Sequence, residues 1–344
     1  MSTETAGLQR YSLNGPTMGS RYSALFYAAP GFATRDIEER LAQAVARVEQ
    51  QMSGWNPQSD LNRLNAAPRH RWISVPRELM SVITTALRVS EQSRGAFEIA
   101  VGDLVQSWGF GPEPRTLDLP ALRELGRQRR FSAGSTLVLE PRRHRLRKRG
   151  KLRLDLNGIA KGFGVDELAR AMEASGIREY LVGIDGEMRA RGRKPGGRPW
   201  SVAVEKPQRG ERQVMGVMEL EDAAIATSGD YRQWVDIAGQ SYAHTLDPTT
   251  GAPLDNRLAS VSVVASSCML ADAWATALLV LGEVEGPRLA QERGMDALFV
   301  IRDGTQWREV SIVGGQLQAE IEVRCPPYPR FPDFQCHQPE SLPR

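Results

Sequence analysis

The 344-residue chain has three cysteines, Cys268, Cys325 and Cys336. Three thiols do not make a disulfide framework, so an apolar core has to hold the fold. Cys268 lies beside an apolar stretch and reads as a small core residue. Cys325 and Cys336 sit in a proline-rich tail, where an oxidising compartment would let them pair. Histidine is equally scarce: His70, His144, His244 and His337 are too scattered for a zinc site, which argues against a transition-metal enzyme. No apolar run is long enough to cross a bilayer, so no transmembrane segment is expected. Charge of one sign is lacking too. With 44 basic against 41 acidic residues the molecule as a whole is not a polycation, and no nucleic-acid partner is expected. The polar start, Met1 to Gly7, lacks the basic-then-apolar pattern of an export leader. A cytoplasmic location is expected for the chain as it stands, and a periplasmic or membrane-anchored one if an export signal has been removed.

A hydrophobic content of 41% suffices for one large domain or two closely packed ones. Two strands are predicted over 8–28, turning around Gly15-Pro16. Ile37, Leu41, Val45, Val48 and Met52 have helical spacing over 35–52, and the pattern repeats over 76–94 between Pro76 and Gly95. A shorter helix is expected over 119–127. A hairpin is predicted over 135–155, turned at or near Gly150, with Leu137, Leu139, Leu152 and Leu154 on one face. A helix over 159–175 ends at Gly176, and strands follow at 179–184, 187–192, 199–205, 213–220 and 241–246. A strand at 258–265 leads into a helix at 270–281 capped by Gly282. A helix at 286–293 and strands at 296–301 and 307–312 complete the body, expected to span 8–314, before a Cys/Pro-containing tail at 315–344. Runs of strands with interspersed helices imply an α+β fold with mixed or antiparallel sheets flanked by helices. The basic run from Arg142 to Lys151 has no interleaved aromatics and reads as a solvated hairpin edge.

Four places carry chemistry. Asp272 and Thr276, four apart on a predicted helix among Ala271, Ala273 and Ala275, point to one side. A carboxylate with a hydroxyl suits a hard cation such as Mg²⁺, and an ordinary helix start would look the same. Asp155 to Gly162 runs from a strand through a glycine turn into a helix. Such a junction suits phosphate, with Lys161 adding charge and Gly158 and Gly162 allowing close approach. It is not a P-loop, because the glycine spacing and the Lys-Ser/Thr ending are missing. His244 ends a strand before a Pro/Gly turn, as a proton acceptor for a hydroxyl nucleophile or as a buried histidine bonded within its sheet, for instance to Asp247. Met18, Trp55 and Phe97 with Glu98 lie on loops, where Met and aromatic side chains can hold a flat heteroaromatic ligand. Phe97, Trp108 and Phe110 would equally fill a core.

Taken in order, these segments resemble the ApbE family, the Mg²⁺-dependent FAD:protein FMN transferases. The matching stretches include Met18-Gly19-Ser20, Met52-Ser53, Ser59 to Asn62, Gly95-Ala96-Phe97, Trp108-Gly109-Phe110 and Asp155 to Gly162. They continue with Asp185-Gly186-Glu187, Ala190-Arg191-Gly192, Thr227 to Tyr231, Tyr242 to Gly251 and Ala271 to Thr276. The resemblance spans roughly residues 10–302 and implies an ApbE-like, T-fold-like architecture. It implies that FAD is the substrate, that its FMN half passes to a Thr or Ser hydroxyl of an acceptor protein, and that AMP is released. Alternatives are an FAD pyrophosphatase yielding FMN and AMP, and a non-catalytic flavin-binding carrier. By the same resemblance Met18, Trp55, Ala96, Phe97, Glu98, Asp155, Lys161 and Leu246 are expected at the FAD. Mg²⁺ is expected at Gly158, Asp272 and Thr276, and His244 at the catalytic position. The chain departs from the family at Glu98 (usually Asp), Asn157 (commonly Gly), Asp185 (the first of a Gly-Gly pair) and Trp55 (often Tyr).

Overall fold

A computed structural model describes residues 7–323, apart from 114–119, 121, 123, 125–131, 209, 211–212, 233, 238–239 and 304–305. Most of the helix expected over 119–127, and both tail cysteines, lie outside the described residues. The strands, in chain order, are β1 (Gln9–Thr17), β2 (Ser20–Ala28), β3 (Ile73–Ser74), β4 (Leu137–Glu140), β5 (Arg145–Lys148), β6 (Tyr180–Ile184), β7 (Glu187–Arg191), β8 (Trp200–Glu205), β9 (Val214–Leu220), β10 (Ala224–Gly229), β11 (Trp234–Ile237), β12 (Gln240–Ala243), β13 (Leu258–Ala265), β14 (Asp296–Asp303), β15 (Gln306–Val313) and β16 (Gln316–Val323). The helices are α1 (Arg35–Met52), α2 (Asp60–Ala66), α3 (Arg77–Gln92), α4 (Gly102–Ser107), α5 (Ala133–Thr136), α6 (Ala160–Ala174) and α7 (Cys268–Glu292).

Nine strands form one sheet in the order β1-β2-β6-β7-β10-β13-β14-β15-β16, and every pair in it is antiparallel. The α+β class with antiparallel sheets holds. β6 is buried along its whole length because both faces of the sheet are covered there. Tyr180, Val182 and Ile184 face the apolar sides of α1 and α6, whereas Leu181 faces Trp200 and Val202 of the β8–β9 hairpin. α7 is apolar nearly all round, as a helix enclosed in a core has to be. It lies between α3, α6, β10 and β13. No described helix is long and apolar enough to cross a membrane.

Two turns fall elsewhere than the sequence predicts. The β1–β2 hairpin turns at Met18-Gly19, not at Gly15-Pro16, because both Met18 and Gly19 adopt left-handed backbone (φ 48° and 68°), the conformation of a two-residue hairpin turn. Gly15 stays inside β1 for a different reason. It pairs with Tyr22, whose ring lies only 2.6 Å from where a Cβ at 15 would sit, so the ring covers a bare backbone. The 135–155 hairpin turns at Pro141–Arg143 and a left-handed His144, not at Gly150. A proline fixes the entry, and Glu140 accepts from Arg145 across the turn at 2.9 Å. Leu152 and Leu154 are buried as expected, although the segment holding them forms no strand. β12 stops at Ala243, short of the expected 246. The helix break at Gly282 is present inside α7 (φ 79°, ψ −175°). Strands β3, β10, β11 and β16 escaped the sequence reading. β16 pairs with β15 around Gly314-Gly315, so the expected body boundary at 314 falls within a hairpin.

Candidate functional site

The site begins where α6 meets α7. Gly162, in the first turn of α6, approaches α7 so closely that a Cβ there would lie 2.3 Å from the Cys268 carbonyl oxygen and 2.7 Å from Asp272 Cβ. Only glycine permits this contact, and it lets the Gly162 amide donate to Asp272 Oδ2 at 2.9 Å. Gly158, in the turn before α6, lies beside Thr276. A Cβ at 158 would be 3.0 Å from Thr276 Oγ1 and 3.2 Å from the Phe97 ring. The three expected metal-site residues, Gly158, Asp272 and Thr276, are thus brought together from segments more than a hundred residues apart.

The first turn of α7 is held by Asp166 of α6, a residue the sequence reading gave no role. Its carboxylate accepts from the Cys268 and Met269 amides, each at 3.0 Å, and pairs with Arg189 of β7 at 2.5 Å. This caps α7 with a negative charge and fixes the rotation that aims Asp272 and Thr276 at the Gly158 turn. Ser228 of β10 was also given no role, and its Oγ lies 3.0 Å from Thr276 Oγ1.

Electrostatically the site is short of positive charge. Asp272 is 4% exposed, and burial together with the nearby Glu187 carboxylate raises its pKa to about 7, against the lowering pull of Lys161 and the Gly162 amide. Lys161 Nζ pairs with Glu187 Oε1 at 2.5 Å. Burial lowers the lysine's pKa, but Glu187 and Asp272 outweigh it, and the net shift is upward. Glu187 is 3% exposed, and its second oxygen, Oε2, is buried with no hydrogen-bond partner among the described residues. Two buried carboxylates therefore share one ammonium, and an added cation would relieve both. The donors at hand are carboxylate, hydroxyl and peptide carbonyl, a hard-cation set. Among the described residues no group of three or more His, Cys, Asp or Glu could hold a metal ion.

The expected FAD residues fall into three groups. The first surrounds the α6 turn. Phe97 is buried beneath Gly158, and Met18 points its thioether at Gly164, its turn held by Glu49, which accepts from the Met18 amide and the Thr17 hydroxyl. Asp155 accepts from the Asn157 amide at 2.9 Å and Nδ2 at 3.0 Å, and burial raises its pKa. The second group is the 96–98 segment. Half-buried Ala96 precedes Phe97, and Glu98 accepts from the Ala100 and Ala133 amides at 2.8 and 3.1 Å. Burial raises the Glu98 pKa as well. The third lies on loops: Trp55, 62% exposed, and His244 with Leu246 just after β12. The Trp55 loop is laced by Asn62, which donates to the Gly54 and Asn56 carbonyls at 2.9 and 2.8 Å. His244 meets the edge of Phe110 at 6.4 Å, and Leu246 is buried with Leu104 and Trp108. Trp108 is the core residue the sequence suggested, its indole donating to the Gly251 carbonyl at 2.9 Å and bracing the turn after His244.

Residues 18–299 match the profile of the ApbE family. Among curated proteins, the chain is 37% identical over 303 residues to an FAD:protein FMN transferase of Vibrio cholerae, covering 88% of this chain and 90% of that protein. It is 31% identical to the protein of the same name from Escherichia coli K12, over 86% of this chain and 85% of that one. Among solved structures, the flavin transferase ApbE from Vibrio cholerae superposes with a TM-score of 0.79 at 35% identity, over 88% of this chain and 97% of that one. The flavinyl transferase ApbE of Pseudomonas stutzeri in its apo form gives 0.78 at 32% identity, over 91% and 97%.

Proposed function

The chain belongs to the ApbE family, and from that premise we propose a Mg²⁺-dependent transfer of the FMN half of FAD to a Thr or Ser hydroxyl of an acceptor protein, with release of AMP. The enzyme is an FAD:protein FMN transferase. The observation that carries the metal-dependent reading is the convergence of Gly158, Asp272 and Thr276, with Glu187 a second buried carboxylate and Lys161 the one ammonium shared by the two.

In the proposed reaction the acceptor oxygen attacks the phosphorus that bears the riboflavin half. A phosphoester bond to the acceptor forms, the P–O bond to the AMP phosphate breaks, and the hydroxyl proton leaves to a base. Such a transfer needs charge neutralisation and alignment more than covalent help. Mg²⁺ held by Asp272, Thr276 and the Gly158 carbonyl would supply Lewis-acid neutralisation of the pyrophosphate oxygens. Lys161, oriented by Glu187, balances charge on the phosphates or on departing AMP. His244 accepts the hydroxyl proton at an imidazole nitrogen, a contribution of about 10²–10⁴ in rate. Met18, Ala96, Phe97, Glu98 and Asp155 hold the dinucleotide around the α6 turn, with Trp55 contributing from its loop and Leu246 from the segment after β12.

The test mixes the protein with FAD, MgCl₂ and a Ser/Thr-containing acceptor domain. Covalent flavin fluorescence on the acceptor in a denaturing gel is the expected result. Free FMN and AMP without labelling would make water the nucleophile, and neither product would leave a carrier.

A further inference from the structure

The basic run from Arg142 to Lys151 does more than border a hairpin. A cavity of about 550 Å³ opens between α2 and the segment 148–153, and its wall includes Arg69, Lys148, Lys151 and Arg153, against the single acid Asp103. Lys148 is 5% exposed, and its Nζ donates to the Asn65 carbonyl at 2.6 Å, a neutral partner for a buried ammonium. Burial lowers its pKa, with Asp103 opposing. Arg153 reaches Glu113 at 3.4 Å, whereas Arg69, Lys148 and Lys151 have no ion-pair partner among the described residues. The aromatic missing from the run itself is supplied by the residue just before β3. Trp72 lies under both Arg145 and Arg147, at 4.6 and 4.8 Å from ring to guanidinium, on the face of β5 opposite Lys148.

Two chain connections lead from the cavity toward the proposed reaction site. Asn62 lines it and holds the Trp55 loop through the Gly54 and Asn56 carbonyls. Its opposite wall, 150–153, runs on into Asp155 and the Gly158 turn. Asn65 fixes that wall to α2 by exchanging hydrogen bonds of 2.8 and 3.0 Å with the Leu154 backbone. The volume has room for on the order of eighteen water molecules, far more than one inorganic ion needs.

We propose that this basic cavity receives an acidic peptide segment of the acceptor protein and so places the acceptor hydroxyl beside the flavin nucleotide. The proposal rests on the transferase reading for its biological setting, but the docking itself can be measured without turnover. Carboxylates would give Lys148 the charged partner it lacks, and the extended row of cations suits an extended chain.

The experiment has two arms. In the first, fluorescence anisotropy follows a labelled Asp/Glu octapeptide, its Asn/Gln counterpart and a labelled single-stranded DNA of equal charge. The proteins are the wild type and the double variant Arg69→Glu/Lys151→Glu, both sites being exposed. The acidic peptide should bind the wild type, weaken about tenfold in the variant, and lose affinity as salt shortens the Debye length below roughly 8 Å. In the second arm, AMP release is measured with a Ser/Thr peptide flanked by acidic residues. The variant should raise the KM for this peptide about tenfold while the KM for FAD stays unchanged. Equal binding of the acidic peptide to both proteins, no binding to the wild type, or DNA binding as tight as the peptide would overturn the proposal. A wild type that binds the acidic peptide yet labels no acceptor would instead refute the transferase reading alone.

Discussion

Asp272 offers the sharpest test of the site, because its burial sets a conflict between stability and function. Its carboxyl has a pKa of about 7 in the folded protein, against an ordinary value of 3.8. As pH rises from about 4 to about 7 the unfolded chain gives up this proton while the folded chain keeps it. Stability contributed by this group is therefore full below pH 4, falls through that window, and stays at its reduced level above pH 7. Across that window the loss is on the order of a few kcal/mol. Asp272→Asn removes the charge while leaving an oxygen to accept from the Gly162 amide. In EDTA at pH 8 the variant should melt several degrees above the wild type, and the advantage should fall below about 1 kcal/mol by pH 4. Adding MgCl₂ should raise the melting temperature of the wild type alone, since the lost carboxylate is the charged ligand. Because the ion displaces a proton, wild-type Mg²⁺ affinity should fall about tenfold for each pH unit below 7. Flavin transfer by the variant should be lost. Differential scanning fluorimetry at the two pH values, with and without metal, reads each of these quantities. A variant less stable than the wild type in EDTA at pH 8 would refute the argument from buried charge, and equal stabilisation of both by Mg²⁺ would refute the ligand assignment.

Gly158→Ala puts a methyl 3.0 Å from Thr276 Oγ1 and 3.2 Å from the Phe97 ring. It should cost about 1–3 kcal/mol in a urea melt and a much larger share of Mg²⁺-dependent turnover. Turnover unchanged at limiting Mg²⁺ would count against Gly158. Asp166→Ala strips two amides of α7 of their cap and leaves Arg189 unpaired, and should cost about 3–5 kcal/mol in the same melt. A loss below 1 kcal/mol would show that α7 is positioned by packing alone. His244→Ala should lower kcat by about 10²–10⁴ with FAD affinity retained in a fluorescence titration. Loss of FAD affinity in a folded variant would make His244 a binding residue instead.

Local pattern made much of this molecule legible. Ile37, Leu41, Val45, Val48 and Met52 announced α1 and all are buried, because one face of a helix must meet the core. Asp272 and Thr276 declared a shared direction through their spacing of four, and Gly282 declared the break in α7. Turns were harder where two glycines competed. Gly15 is there to accommodate the Tyr22 ring and Gly19 to turn the chain, and the sequence does not distinguish the two uses. β10, with its small Ala-Ile-Ala-Thr-Ser-Gly sequence, carries no strong alternation, yet it supplies the Ser228 hydroxyl beside Thr276.

Composition, periodicity and ordered motifs by themselves determined the class of fold, the main helices and the family. All three depend on neighbours close along the chain, where backbone geometry dictates which residues share a face. Only the tertiary structure decided that Asp166 caps α7, that Glu187 shares Lys161 with Asp272, and that Trp72 underlies Arg145 and Arg147. Those relations join residues distant along the chain, 26 positions apart for Lys161 with Glu187 and 103 for Asp166 with Met269. Their energies come from burial and charge in a shared interior, and no local spacing encodes them.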